Sequence, residues 1–152
     1  MSWGRDPALT LGLSVFETLA LHPSGALLDL EWHLERLERS ARWLSAPLPK
    51  RAQLQERLLS AAREAAHAHT RAQRHHNTRE LLALRYTLSV SGREDISTRT
   101  YPRAEVGGLK RVALLWAPPS PYLPRWVKHS SRAEWRLAAQ TMGTDEVLLC
   151  DA

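Results

Sequence analysis

The sequence predicts an α+β chain: a small two-layer α/β unit followed by the opening elements of a second unit. Three observations carry this. Leu82, Leu84, Tyr86, Leu88 and Val90 alternate with Ala83, Arg85, Thr87 and Ser89, the period of a half-buried strand. Leu30, Leu34, Leu37, Ala41 and Leu44 recur at helical spacing and form one apolar stripe. Near the end of the chain a punctuated helix leads directly into another apolar strand.

Taken in order, Leu13 to Leu21 reads as a strand, with Val15, Phe16, Thr18 and Leu19 suited to a pleated surface. His22-Pro23-Ser24-Gly25 is a turn, and Ala26 to Asp29 is expected to pair back as a short second strand. The first helix runs from about Leu30 to Leu44. Glu31, Glu35, Glu38 and Arg42 lie on one flank; His33, Arg36 and Ser40 share the other, which reads as a solvated face. Pro47 and Pro49 end the helix. A second helix, about Arg51 to His69, is expected to bury Leu54, Leu58, Ala61, Ala62 and Ala65. Thr70 to Thr78 is polar and reads as a loop, and the strand from Leu82 to Val90 follows.

Gly92 to Gly108 is polar and also reads as a loop; Arg111 to Trp116 is a strand. A Pro-rich segment comes next, and the shift in composition puts a domain boundary near residues 117–125. The divisions are 1–118, a linking loop at 119–127, and 128–152. Ser131-Arg132-Ala133-Glu134 fits a capping box, in which serine and glutamate satisfy the free backbone donors of a helix start. Trp135, Ala138, Ala139 and Met142 give that helix an apolar face, and Gly143 is placed to end it. Glu146 to Cys150 reads as a buried strand whose uncovered edge makes the isolated chain prone to associate.

Composition narrows the function. Apolar residues make up 43% of 152, enough for a packed core. The net charge is +5, from 21 Lys and Arg against 16 Asp and Glu, and it is spread without a basic block. Such a balance suits an anionic ligand, a nucleic acid or an acidic surface, and the lack of a basic block weakens the nucleic-acid reading. One cysteine, Cys150, excludes an internal disulfide and fits a reducing compartment. No stretch approaches the ~20 apolar residues of a membrane span, and the N-terminus has no signal-peptide pattern, so a cytoplasmic setting is expected. His67, His69, His75 and His76 cluster, but positions 67 and 69 do not share a helix face and no carboxylate or cysteine is set at ligand spacing, so no metal site is expected.

The residue that stands out chemically is Lys128, between the Pro-rich loop and the helix start at Ser131. The positive end of a helix and partial burial both disfavour an ammonium ion, as carbonyl chemistry by lysine requires.

Gly12-Leu13-Ser14-Val15-Phe16-Glu17-Thr18, then His33-Leu34-Glu35-Arg36-Leu37, then Lys128 stand in an order that resembles the class IV (fold-type IV) pyridoxal-phosphate enzymes. These include branched-chain and D-amino-acid aminotransferases and 4-amino-4-deoxychorismate lyase. The resemblance implies that Lys128 is the Schiff-base lysine and general base, and that Arg36 grips the cofactor phosphate. It further implies that Phe16 lines the substrate pocket and that Arg99, in Thr98-Arg99-Thr100-Tyr101, helps hold substrate, with Thr100 in place of the family's glycine. Lys128-His129, Arg132 and Glu134 look most like the lyase branch, which releases pyruvate and forms 4-aminobenzoate for folate synthesis. Gly12-Leu13-Ser14 looks nearer to the branched-chain form.

On this resemblance the expected cofactor is pyridoxal phosphate, the substrate a small anionic amino-acid-like molecule, and the complete protein a homodimer. Residues 128–152 would be the first helix and strand of the cofactor domain. The carboxylate that pairs with the pyridine nitrogen, and the rest of the phosphate cup, would fall beyond Ala152, leaving weak cofactor binding and little turnover. The alternatives are an amino-acid aminotransferase and a non-catalytic binding or assembly module on the same small-domain fold.

Overall fold

The computed structural model describes residues 6–73, 80–102, 110–116, 122–131 and 133–150. A short helix α1 (Pro7–Thr10), not foreseen from the sequence, precedes strand β1 (Ser14–Leu21). Helices α2 (Leu30–Trp43) and α3 (Arg51–Gln73) follow, then strands β2 (Glu80–Ser89), β3 (Glu94–Pro102) and β4 (Val112–Trp116), helix α4 (Ala133–Met142) and strand β5 (Glu146–Cys150).

β1, β2 and β3 form one antiparallel sheet in that order, with Glu17 opposite Tyr86 and Ala83 opposite Arg99. Because side chains alternate along a strand, one face gathers Val15, Leu19, Leu21, Leu82, Leu84 and Leu88. That face packs against the stripe of α2 (Leu34, Leu37, Ala41) and against Leu54, Leu58 and Ala62 of α3, all buried. This is the core. β4 and β5 form a separate parallel pair, Val112 opposite Glu146 and Trp116 opposite Cys150, and β4 is not hydrogen-bonded to the first sheet.

Several elements differ from the sequence reading. The polar segment assigned to a loop contains all of β3. Its alternation is hard to read because a polar residue occupies the first of its inward positions. Glu94 accepts a hydrogen bond from the Tyr86 hydroxyl at 2.7 Å and pairs with Arg57 at 2.7 Å. Backbone pairing with β2 holds the strand, with little apolar burial. Tyr86 itself is fully buried, and burial, then the Glu94 bond, push its phenol well above its usual range.

Helix α3 runs four residues past His69, through polar residues that carry no apolar signal, so the start of the predicted Thr70–Thr78 loop is helical. His75 and His76 lie outside the described residues, as does the 117–121 part of the boundary region. Ala26 to Asp29 makes only an isolated bridge, Leu21 to Leu27, because the tight His22–Gly25 turn leads almost at once into α2. β5 is less buried than expected: Val147 is 2% exposed but Leu148 is 54% exposed. On α4, Met142 is likewise exposed. Gly143, at φ +61°, ends α4 as predicted; the Thr144 N–H reaches back to the Ala139 carbonyl at 3.0 Å. α4 begins at Ala133, and Arg132, which separates it from Ser131, lies outside the described residues.

The N-terminal segment is anchored by Asp6. Its carboxylate caps α1 at Ala8 N–H (2.8 Å) and accepts from the Ser89 and Ser91 hydroxyls at the end of β2. Those bonds, Ser89 first, hold its carboxyl below the usual range. A depressed native pKa adds stability that is present above the unfolded value of about 3.9 and is lost as pH falls through the lower native value. The thermal midpoint should therefore drop on acidification below about pH 4, more steeply in the parent than in Asp6→Asn. Parallel acid profiles for the two proteins would contradict this.

Candidate active site

β1 presents Phe16 and Glu17 to opposite faces of the sheet. Glu17 points to the core side and is 2% exposed, so its carboxylate needs partners. It accepts from Arg36 Nε at 2.6 Å and Nη2 at 2.5 Å, and from His33 Nδ1 at 2.7 Å. A carboxylate accepts only, so His33 carries its proton on Nδ1 in this contact. Arg36 also stacks over Trp32, one turn back on α2, at 4.0 Å. The guanidinium is thus fixed on two sides, and its Nη1 makes no hydrogen bond among the described residues. The flank of α2 that reads as solvated is in fact packed: a carboxylate from β1 draws His33 and Arg36 inward, and Ser40 is fully buried.

Lys128 is fixed through its main chain. Its N–H donates to Ser40 Oγ at 3.1 Å, and its carbonyl accepts from Phe16 N–H at 3.1 Å. His129 forms a β-bridge with Val15, and Ser130 N–H donates to the Ser14 carbonyl at 2.9 Å. The Ser130 hydroxyl bonds the Ser14 hydroxyl and the Gly12 carbonyl. Residues 128–130 are therefore stitched to the start of β1 and to the buried side of α2. The Lys128 ammonium nitrogen is 5.0 Å from the Phe16 ring centre.

Gly12 makes this docking possible. Its φ is +67°, and a Cβ there would meet Ser131 Cβ at 3.1 Å and Cα at 3.2 Å. Gly12→Ala should destabilise the protein by about 1–2 kcal/mol through backbone strain and displacement of this segment. Denaturant titration tests this; a change below about 0.5 kcal/mol would contradict it.

Phe16, Arg36 and Lys128 line one cavity of about 310 Å³, at the small end of the ~300–1,000 Å³ range of small-molecule sites. The sequence had singled out these three residues. The fourth, Arg99, is exposed on β3, opposite Ala83, and is not among the described residues that line the cavity. Other residues join the site without having been foreseen. Arg85 stacks on Phe16 at 3.8 Å. Trp126 lines the cavity and packs edge-on against Trp43, with ring centres 5.3 Å apart. The Trp43 indole N–H donates to the Tyr122 carbonyl at 3.0 Å. Glu17 could have been found from the strand pattern, as a carboxylate at a core-facing position between Val15 and Leu19 demands a buried cation.

The family model for amino-transferase class IV matches residues 14–152, nearly the whole chain. The chain belongs to this family. Among solved structures it is similar to a protein provisionally described as a 4-amino-4-deoxychorismate lyase: 30% identity, TM-score 0.70, covering all of this chain and 59% of that one. The 4-amino-4-deoxychorismate lyase of Pseudomonas aeruginosa is 26% identical, with TM-score 0.64 and coverage of 100% and 57%. The fold IV transaminase CpuTA1 of Curtobacterium pusillum is 25% identical, with TM-score 0.71 and coverage of 97% and 54%. This class IV chain thus spans little more than half the length of the structures it resembles. A comparison with curated proteins gives no match.

The cavity's own chemistry is compatible with the family's cofactor. It offers an amine at Lys128, a guanidinium at Arg36 with an uncommitted edge, and an aromatic wall at Phe16. These match an aldehyde, a phosphate and a planar ring respectively.

Proposed function

We propose that this class IV chain belongs to a pyridoxal-phosphate-dependent enzyme of the 4-amino-4-deoxychorismate lyase kind, releasing pyruvate and forming 4-aminobenzoate for folate synthesis. The observation that carries the reading is the convergence of Lys128, Arg36 and Phe16 on one cavity, with the Lys128 main chain fixed to β1 and α2. The order Lys128-His129, Arg132, Glu134 and the likeness to lyases at 30% and 26% identity support this branch.

When bound, pyridoxal phosphate supplies an aldehyde for amines and a ring that withdraws electrons from the substrate's α-carbon. The chain's part is to hold and move groups around it. Arg36 holds the phosphate, its own orientation set by Glu17 and Trp32. Lys128 provides the reactive amine and then takes and returns the proton at the α-carbon. Phe16, flanked by Arg85, walls the cavity and limits water entry. A cytoplasmic homodimer goes with this reading.

The second reading, an amino-acid aminotransferase, is favoured by Gly12-Leu13-Ser14 and by the 25% identity to a transaminase. The two are separated by supplying the protein and cofactor with aminodeoxychorismate, or with amino acid and 2-oxo acid pairs. Pyruvate and 4-aminobenzoate released without an acceptor oxo acid support the lyase. Amino transfer that requires the acceptor supports the aminotransferase and overturns the lyase reading.

A further inference from the structure

The described lining of the Lys128 cavity is rich in cationic side chains. Among the described residues four cationic side chains line it, Arg36, Arg39, Arg125 and Lys128, and none of the described lining residues is Asp or Glu. The Arg36 charge is already matched by buried Glu17. Arg39 makes no salt bridge or hydrogen bond among the described residues; its guanidinium lies 5.1 Å over the Trp126 ring. Trp126 is itself braced by Trp43, which is tied to the Tyr122 carbonyl. Arg39 is therefore stacked on an aromatic that a second aromatic restrains. Arg125, next to Trp126 in the chain, lines the same cavity. Concavity focuses the field of the cationic side chains that line it, which favours the entry of an anion.

We infer that Arg39 and Arg125 form a second oxyanion subsite in this cavity, distinct from Arg36, with Trp126 as its aromatic floor. A guanidinium stacked on a ring keeps its N–H edge available for in-plane bonds to a carboxylate or phosphate oxygen. The neighbouring aromatic surface can stack against the planar ring that carries such an anionic group. Two groups share the required chemistry: the phosphate of the cofactor, and a carboxylate of the substrate. The inference deepens the proposed function by committing these two arginines to an anion, and rests on that reading only for its choice of probes.

The test is binding followed by tryptophan fluorescence, in the full chain and in Arg39→Gln, Arg125→Gln and the double variant. The probes are pyridoxal phosphate, pyridoxal, 4-aminobenzoate and the neutral 4-aminobenzamide. The double variant should lose about tenfold or more in affinity for at least one anionic probe, while its affinity for the two uncharged counterparts stays within about twofold. Selective loss of 4-aminobenzoate assigns the subsite to a substrate carboxylate. Selective loss of pyridoxal phosphate assigns it to the cofactor phosphate. Both support the inference.

Unchanged affinity for both anions, or no anion binding by the parent chain, overturns it. Arg39→Lys, which keeps the charge, should recover part of the lost affinity, and matched thermal midpoints separate the effect from unfolding. If the parent chain binds 4-aminobenzoate through Arg39 and Arg125 but does not react with pyridoxal phosphate at Lys128, the cofactor reading fails and the subsite stands.

Discussion

Replacing Glu17 with alanine is expected to cost about 2–4 kcal/mol of stability and to loosen the grip on the cofactor phosphate. Removing one member of a buried ion pair leaves the other without its counter-charge. Here Glu17 is 2% exposed and serves both Arg36 and His33. The cost falls toward the low end because Arg36 keeps 21% exposure and can recruit water. The second effect concerns orientation. Glu17 takes the Nε and Nη2 edge of Arg36 and so fixes which edge is left over. Without it the guanidinium can rotate over Trp32, and the preference for pyridoxal phosphate over pyridoxal should shrink. Glu17→Gln, similar in shape but neutral, should fall between parent and alanine variant. Denaturant titration measures the first effect and paired ligand titrations the second. Loss of stability with unchanged phosphate preference would make Glu17 a purely structural residue.

Lys128→Met is expected to remove the preferential covalent reaction with pyridoxal phosphate, leaving only the background reaction of exposed amines, while changing stability by less than about 1 kcal/mol. The two effects separate because the segment docks through backbone groups. The Lys128 N–H bonds Ser40 and its carbonyl bonds Phe16; a methionine keeps both and keeps an aliphatic stem beside Phe16. What disappears is the amine. A variant that unfolds would place structural weight on the side chain, against the hydrogen-bond pattern. A variant that still reacts fully would show that other lysines provide the amine.

The fold could be read from the sequence where side-chain burial alternates cleanly. β1, α2 and β2 each carry an apolar period, and their predicted limits differ from the observed ones by no more than two residues. β3 could not be read in this way. Its inward Glu94 answers to Tyr86 and Arg57, two partners on other elements, and its outer face is polar. Within a single sequence such a strand has the composition of a loop. Arg99, which the resemblance implies as a substrate contact, is exposed on this strand and is not among the described residues lining the Lys128 cavity.

The candidate site divides similarly. Phe16, Arg36 and Lys128, singled out by motif order, line one cavity, a convergence that composition alone does not signal. The flank of α2 was misread because its partner, Glu17, belongs to a different element sixteen residues upstream of His33. The contribution of Ser40 to the Lys128 main chain spans 88 residues and has no local signature. The Trp43–Trp126 contact, which braces the cavity beneath Arg39, is equally remote in sequence.

The central claim is that Lys128 is the reactive amine of this cavity. The sequence contains three lysines, Lys50, Lys110 and Lys128, and the first two are exposed to solvent. Incubation with pyridoxal phosphate, borohydride reduction and peptide mass mapping would locate the label directly. A phosphopyridoxyl label on Lys128 in preference to Lys50 and Lys110 is the expected result. Equal labelling of all three, or a label that spares Lys128, would contradict it.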